Sequence, residues 1–447
     1  MSDTFESDYV VVGAGAMGLA FTDVLLAETD ATVTIIDRRD RPGGHWNDAY
    51  PFVRLHQPSA FYGVNSTELS NGHVDDRGWN EGLAELASAP DVLSYYQRVL
   101  QHILLPSGRV RYLPLHEYTK DLATSLVTGE VVDVVATKRT VDCTYMNVQV
   151  PSMQAPRFKV DPEAACIPPN DLPKLSGANR FVLVGGGKTS IDAALWLLDH
   201  GVATADITWV RPRDAWLLDR RNVQPDGSTS LRSYSQQLEA SAKAESVEDL
   251  FARLEAGGDL LRMDEAVTPT MYRCATVTQR EVEALRGITD VVRAGHVKEV
   301  TPKQIVLDEA EIDGSGAVVV NCSSDGLAKR PPMSIFDGER ITAQAVRSCQ
   351  QVFSAAFLGH LEAAYDDDET RNSLAKPVPH PNDDVDWLRS TLDQLTNQIG
   401  WAADADLTSW LRASRLDPFS SSSRNRDAAS TKSIGKYAFG AVENLTR

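Results

Sequence analysis

Residues 9–46 constrain this chain more than any other stretch, because they read in one unbroken run as strand, glycine turn, helix, second strand and second glycine turn. Residues 9–12 are apolar and mostly β-branched, enough for a short buried parallel strand. Gly13, Gly15 and Gly18 follow with GxGxxG spacing and open a segment whose apolar positions Leu19, Val24, Leu25 and Leu26 suit a helix. In such a turn the first glycine reverses the chain tightly, the second lets a pyrophosphate approach the backbone, and the third lets helix and strand pack closely. The pyrophosphate would rest on unpaired N–H groups at the positive end of the helix dipole. Residues 32–36 form the next strand, which ends at Asp37, about twenty residues past Gly18, where a carboxylate accepts hydrogen bonds from ribose hydroxyls. Arg38 adjoins it and is counted with the same dinucleotide site.

Arg41-Pro42-Gly43-Gly44-His45-Trp46 allows a second close backbone approach, which an extended ligand such as FAD needs more than NAD does. On spacing alone an ordinary Pro-Gly turn explains these residues equally well. A second unit begins at the strand 181–184 and turns through Gly185, Gly187, Lys188, Thr189 and Ser190 into a helix over 191–198. A P-loop would need glycine at position 182, which is Val182, so a second dinucleotide turn remains, with Ser190 in the third glycine's place. Its second strand, 207–210, ends at Arg211, where an NAD site would carry an acid. A guanidinium there removes repulsion and gives a 2′-phosphate a bidentate partner, which favours NADPH; Arg213 stands two positions on.

The run from Gly13 to Gly18, Asp37, Gly44-His45-Trp46 and the pair Tyr50-Pro51 together resemble the amino end of class B, flavin-containing monooxygenases and related two-dinucleotide flavoproteins. Gly185 to Ser190 resembles their NADPH turn. The resemblance implies an α/β fold with two Rossmann-like three-layer dinucleotide-binding domains and added helices at the C-terminus. Residues 1–160 would begin the FAD domain, and 173–315 would form the NADPH domain with a helical insertion at about 224–285. Residues 316–365 would return to the FAD domain, and 366–447 would be a C-terminal helical extension. It further implies an NADPH-dependent oxidoreductase with FAD, a small-molecule substrate and molecular oxygen, working through reduced flavin and a flavin hydroperoxide. A reductase or oxidase without oxygen insertion, and a non-enzymatic FAD-binding redox sensor, remain the alternatives. In such enzymes residues 50–66 pass close to the isoalloxazine ring, which makes His56, Gln57 and Tyr62 the catalytic candidates. The plain reading is a core of Phe52, Phe61 and Tyr62 over a satisfied His56. Two departures stand out: residues 168–180 lack the family's phenylalanine, glycine and histidine motif, and residues 321–326 lack its Ala-Thr-Gly turn.

A formal net charge of −18 without a basic cluster excludes nucleic acid and anionic membrane as partners, and a cytoplasmic location is expected. The five cysteines form no CxxC pair, so free thiols are expected rather than a dithiol centre or a zinc ribbon. The acids at 366–369 read as a solvated run, and no metal site is expected. Residues 341–365 read as one long alanine-rich helix, suited to close packing against a neighbouring helix or the flavin domain and also a candidate contact surface for a homo-oligomer, and amphipathic helices follow over 385–399, around Trp410 and over 437–445. Residues 420–426 are expected to be mobile.

Overall fold

The computed structural model of the protein describes residues 4–420 and 428–447; the expected mobile segment therefore lies, beyond Ser420, outside the described residues. The first unit is built on β1 (Thr4–Val12), α1 (Ala16–Glu28), β2 (Val33–Ile36) and β3 (Val131–Asp142). β1 lies between β2 and β3, parallel to both. In sequence β3 looks like two strands broken by Thr137-Lys138-Arg139, yet it is continuous. The break is only chemical, because Arg139 is neutralised by Asp368 at 2.7 Å and Glu362 at 3.2 Å. The hairpin of His116–Thr119 and Leu122–Ser125, which sequence reading missed, turns on two left-handed residues, Lys120 and Asp121, neither of them glycine.

The second unit contains β4 (Phe181–Val184), α2 (Lys188–Asp199), β5 (Ile207–Val210), β6 (Met271–Val277) and β7 (Val318–Asn321). Its parallel sheet runs Val291–Val292, β5, β4, β7, Cys166–Ile167. The proline-rich stretch before β4 therefore supplies an edge strand besides linking the units. The insertion contains the expected helices, at Thr229–Lys243, Val247–Ala256 and Gln279–Arg286. It is not purely helical, however: β6 and Leu260–Leu261 flank Ala215–Asp219 in a three-stranded sheet. β6 escaped notice because Arg273 interrupts its apolar pattern, and the strand bulges there, with Cys274 at φ 55°.

The expected long helix over 341–365 is also corrected. Its start is a strand, β8 (Arg340–Thr342), parallel to β3, and only after an irregular segment does α3 (Gln351–Ala364) begin. α3 is largely buried against α1, so it offers no exposed oligomer surface. Gly359 permits the contact, since a Cβ there would stand 2.8 Å from the Phe21 carbonyl oxygen. Helices Asp384–Ala403, Ala405–Ala413 and Ala428–Thr446 complete the chain. No helix among the described residues is long and apolar enough to cross a membrane.

The segment between the last two of these helices is tied into the first unit by Arg347, which pairs with Asp417 at 2.9 Å, both nearly fully buried. The guanidinium also lies over Phe353 and Trp401. Asp417→Ala would strand that charge in an apolar setting and is expected to cost about 3–5 kcal/mol in urea denaturation. A loss below about 1 kcal/mol would contradict a shared core.

Candidate functional site between the two dinucleotide units

The first turn has the geometry its glycines imply. Gly13 adopts φ 104°, and a Cβ on Gly18 would lie 1.9 Å from the Gly13 carbonyl oxygen, so only glycine lets α1 pack down on β1. The second glycine turn lies directly against the first. A Cβ on Gly15 would meet the Gly44 Cα at 3.5 Å, one on Gly44 would meet the Gly15 Cα at 3.1 Å, and the Gly43 amide donates to the Ala14 carbonyl at 2.9 Å. Asp37 holds this arrangement, accepting from the amides of Ala14 at 2.6 Å and Arg39 at 2.8 Å. Burial raises the pKa of its carboxyl, and lone pairs remain for a ribose. Arg38 is exposed at the lip. His45 is stacked on Trp46, and burial, reinforced by Arg39, pushes its pKa down to about 4.

Trp46 donates through Nε1 to the Tyr62 hydroxyl at 2.7 Å, and the Tyr62 ring packs edge-on against Trp46 and Tyr96. Tyr62 thus braces the second glycine turn. Its own backbone is gripped by Arg415, which donates to the carbonyls of Ala60 and Tyr62 at 2.8 Å and of Val64 at 2.9 Å. No local sequence pattern marks Arg415, because its partners lie some 350 residues earlier. His56 reaches across to the second unit: its Nδ1 accepts from the Thr276 amide at 3.3 Å, and its carbonyl accepts from Arg220 at 3.1 Å. Its pKa is pushed down to about 3 by burial, then by Lys188, Arg220 and His380. The ring is therefore neutral, and with Nδ1 accepting, Nε2 carries the proton. Gln57 lies beside it, half-buried.

In the second turn Gly185 takes φ 132°, a Cβ on Gly187 would meet nothing within 4 Å, and the Ser190 hydroxyl donates to the Gly187 carbonyl at 2.8 Å. The turn is thus open at Gly187, and Ser190, which stands in the third glycine's place, is turned back onto the Gly187 carbonyl. Lys188 pairs with Asp192, which also accepts from the Tyr50 hydroxyl at 2.6 Å, and the Thr189 hydroxyl lies beside Tyr50. Phe52 stacks on Trp196, with centroids 5.4 Å apart. Residues 50–56 therefore join the first turn to the helix of the second. Arg211 is buried over Trp209. Its contact with Asp214 is loose, at 3.5 Å, Asp214 is held more tightly by Arg293 at 2.7 Å, and the Arg211 Nε has no partner.

β1, β3 and β8 end together, and the segment beyond β8 leads to the N-terminus of α3. There the Gln350 Oε1 and both amide atoms of Gln351 are buried without partners. A flat ligand with a polar edge would satisfy them, and sequence reading missed them because it placed them inside a helix. A cavity of about 350 Å³ adjoins this end, lined by residues including Met146, Arg273, Gln344, His380 and Asn382. One expectation fails outright: Cys274 and Cys349 form a disulfide, leaving Cys143, Cys166 and Cys322 free.

Three half-buried histidines give the site a pH signature. His45 and His380 are pushed down to about 4 and His56 to about 3, chiefly by burial, from an ordinary 6.5. Below 6.5 the unfolded chain binds protons that the folded chain refuses, so stability is full above 6.5 and is lost as pH falls towards the folded values. The expected loss is roughly 1.4 kcal/mol per histidine per pH unit, read from urea midpoints at pH 7.5 and 5.5. Equal midpoints would contradict it.

Comparison with known proteins places this geometry. A family model described as NAD(P)-binding Rossmann-like domain matches residues 11–65, the first unit. Among solved structures, oxidized steroid monooxygenase bound to NADP matches with a TM-score of 0.52 at 14% identity, covering 80% of this chain and 85% of that one. The open structure of cyclohexanone monooxygenase matches with 0.51 at 14% identity, covering 80% and 87%. These likenesses concern the fold. A much nearer likeness is to "Uncharacterized protein Rv2000" of Mycobacterium tuberculosis and "Uncharacterized protein Mb2023" of Mycobacterium bovis, each 50% identical over 419 residues, covering 93% of this chain and 78% of the relative. The chain therefore belongs to the family of these mycobacterial proteins, and it has the two-dinucleotide-domain fold seen in flavoprotein monooxygenases.

Proposed function

We propose that the chain is a cytoplasmic FAD- and NADPH-dependent oxidoreductase, a monooxygenase of a small organic substrate. The observation that supports this best is that two glycine turns, each at the head of its own parallel sheet, are joined by residues 50–56, through Tyr50–Asp192 at the second turn's helix and His56–Thr276 at the insertion. When bound, NADPH supplies a hydride, and FAD accepts it and passes electrons to oxygen. The chain's own residues do the rest. Gly13, Gly15 and Gly44 leave a cradle for the FAD pyrophosphate, with Asp37 and Arg38 at its ribose side. Gln350 and Gln351 offer buried amides to the ring. Gly187, Lys188 and Thr189 open a second helix N-terminus to the NADPH pyrophosphate, and the unpartnered Nε of Arg211 takes the 2′-phosphate. His56, neutral and protonated on Nε2, donates a hydrogen bond to cofactor or substrate, with Gln57 beside it. Tyr62 acts through Trp46 as a positioning residue. His45 and Trp46 cover the FAD turn. The missing motif at residues 168–180 favours a second reading, a flavin-dependent reductase or oxidase that inserts no oxygen.

The visible spectrum separates these readings. Anaerobic NADPH is expected to bleach the bound flavin, and admitted oxygen to give a lasting adduct. Immediate reoxidation to peroxide would favour the second reading, and a flavin that NADPH leaves yellow would contradict both. Arg211→Ala is expected to weaken binding of NADPH at least tenfold more than that of NADH, measured by calorimetry. Equal losses would remove the 2′-phosphate assignment.

A further inference from the structure

The Cys274–Cys349 disulfide joins two parts of the fold that only the tertiary structure brings together. Cys274 sits at the bulge of β6, in the insertion of the second unit, while Cys349 lies between β8 and α3, in the part of the chain that returns to the first. One half, Cys274, is itself held in a backbone conformation that side chains rarely adopt, at φ 55°, and the other, Cys349, directly follows such a residue, Ser348 at φ 41°. Such distortions gather at functional sites. The two sulfurs and a ring nitrogen of His380 lie within 4.8 Å of one another.

The surroundings point to electron traffic rather than a simple staple. Cys349 immediately precedes Gln350 and Gln351, the residues whose unpartnered buried amides mark the flavin end of the site. On the other side, His380 and Arg273, the neighbour of Cys274, line the cavity together with Gln344 and Ala345. The pair thus stands between the site assigned to the flavin and a cavity. The imidazole is neutral at pH 7, held there by burial and by Arg273, so one nitrogen donates and the other accepts, and it can relay a proton between solvent and a sulfur.

We propose that Cys274 and Cys349 form a redox-active pair that accepts two electrons from NADPH by way of the bound FAD, with His380 carrying the proton. This rests on the FAD and NADPH reading above. NADPH is oxidised to NADP⁺, the S–S bond breaks, and two thiols form; one proton comes with the hydride and the second from solvent through His380. A second equivalent of NADPH then reduces the flavin itself, so that the enzyme holds four electrons, two on the flavin and two on the thiols.

The test uses the full-length, FAD-loaded protein without oxygen. NADPH is added, the protein is denatured in an alkylating reagent, and modified cysteines are counted by mass spectrometry. Three alkylated cysteines are expected before NADPH and five after, and full bleaching should take two equivalents of NADPH. In Cys349→Ser one equivalent should suffice. In the wild-type fold His380→Gln should slow thiol appearance without slowing bleaching. A bleached flavin beside an intact disulfide would overturn the proposal and leave the parent reading standing. If NADPH fails to bleach the flavin, the parent reading falls, and photoreduced flavin decides: an opened disulfide keeps the flavin-to-sulfur step, an intact one overturns it. Protein that binds no flavin, or five free thiols with one equivalent of zinc before reduction, would also overturn it, the latter in favour of a metal site.

Discussion

The parallel pairing of β8 with β3 is the constraint on which the rest of the molecule depends. It sets Ile341 opposite Val141 and Thr342 opposite Asp142, the level at which β1 also ends. A strand from residue 340 thereby completes a sheet begun at residue 4, and the sheet of β4, β5 and β7 is built from chain that lies between β3 and β8. Because strands and helices in such sheets present their ligand sites at the carboxyl ends of the strands, the register also places the N-terminus of α3 beside the first glycine turn. Gly359 and Phe21 then fix α3 against α1 at contact distance.

Contacts between the units include those of residues 50–56 and of residues 79–84, and most are polar or aromatic. Tyr50, Phe52 and His56 leave the second glycine turn and attach to Asp192, Trp196 and Thr276. Arg415 anchors the far end of the same loop. An irregular segment fastened at both ends can hold side chains in place without regular secondary structure, which suits the role proposed for it between two cofactors. The C-terminal helices are therefore part of the site's support, through Arg415 and the Arg347–Asp417 pair, and are not an appendage.

Much of this was legible in the sequence because it is local. The glycine spacing, Asp37 at the end of the second strand and Ser190 in a glycine's place all act within one turn or one strand, and the structure sets each of them in the turn expected of it. What escaped was non-local or chemically disguised. β8 was hidden by alanines that read as helix, although burial on every side, not propensity, decides that segment. β6 was hidden by one arginine and a bulge. The Cys274–Cys349 bond could not be read at all, since two cysteines 75 residues apart carry no spacing signal. Gln350 and Gln351 became visible only once the strand before them was placed.

The central claim is that the two glycine turns serve one reaction, with the nicotinamide delivering hydride directly to the flavin between them. The most direct measurement is the rate of anaerobic flavin bleaching with NADPH deuterated separately at each face of its C4 carbon. The account predicts slower bleaching for one of the two labelled forms and an unchanged rate for the other. Equal rates for both, with no label reaching the flavin, would contradict it.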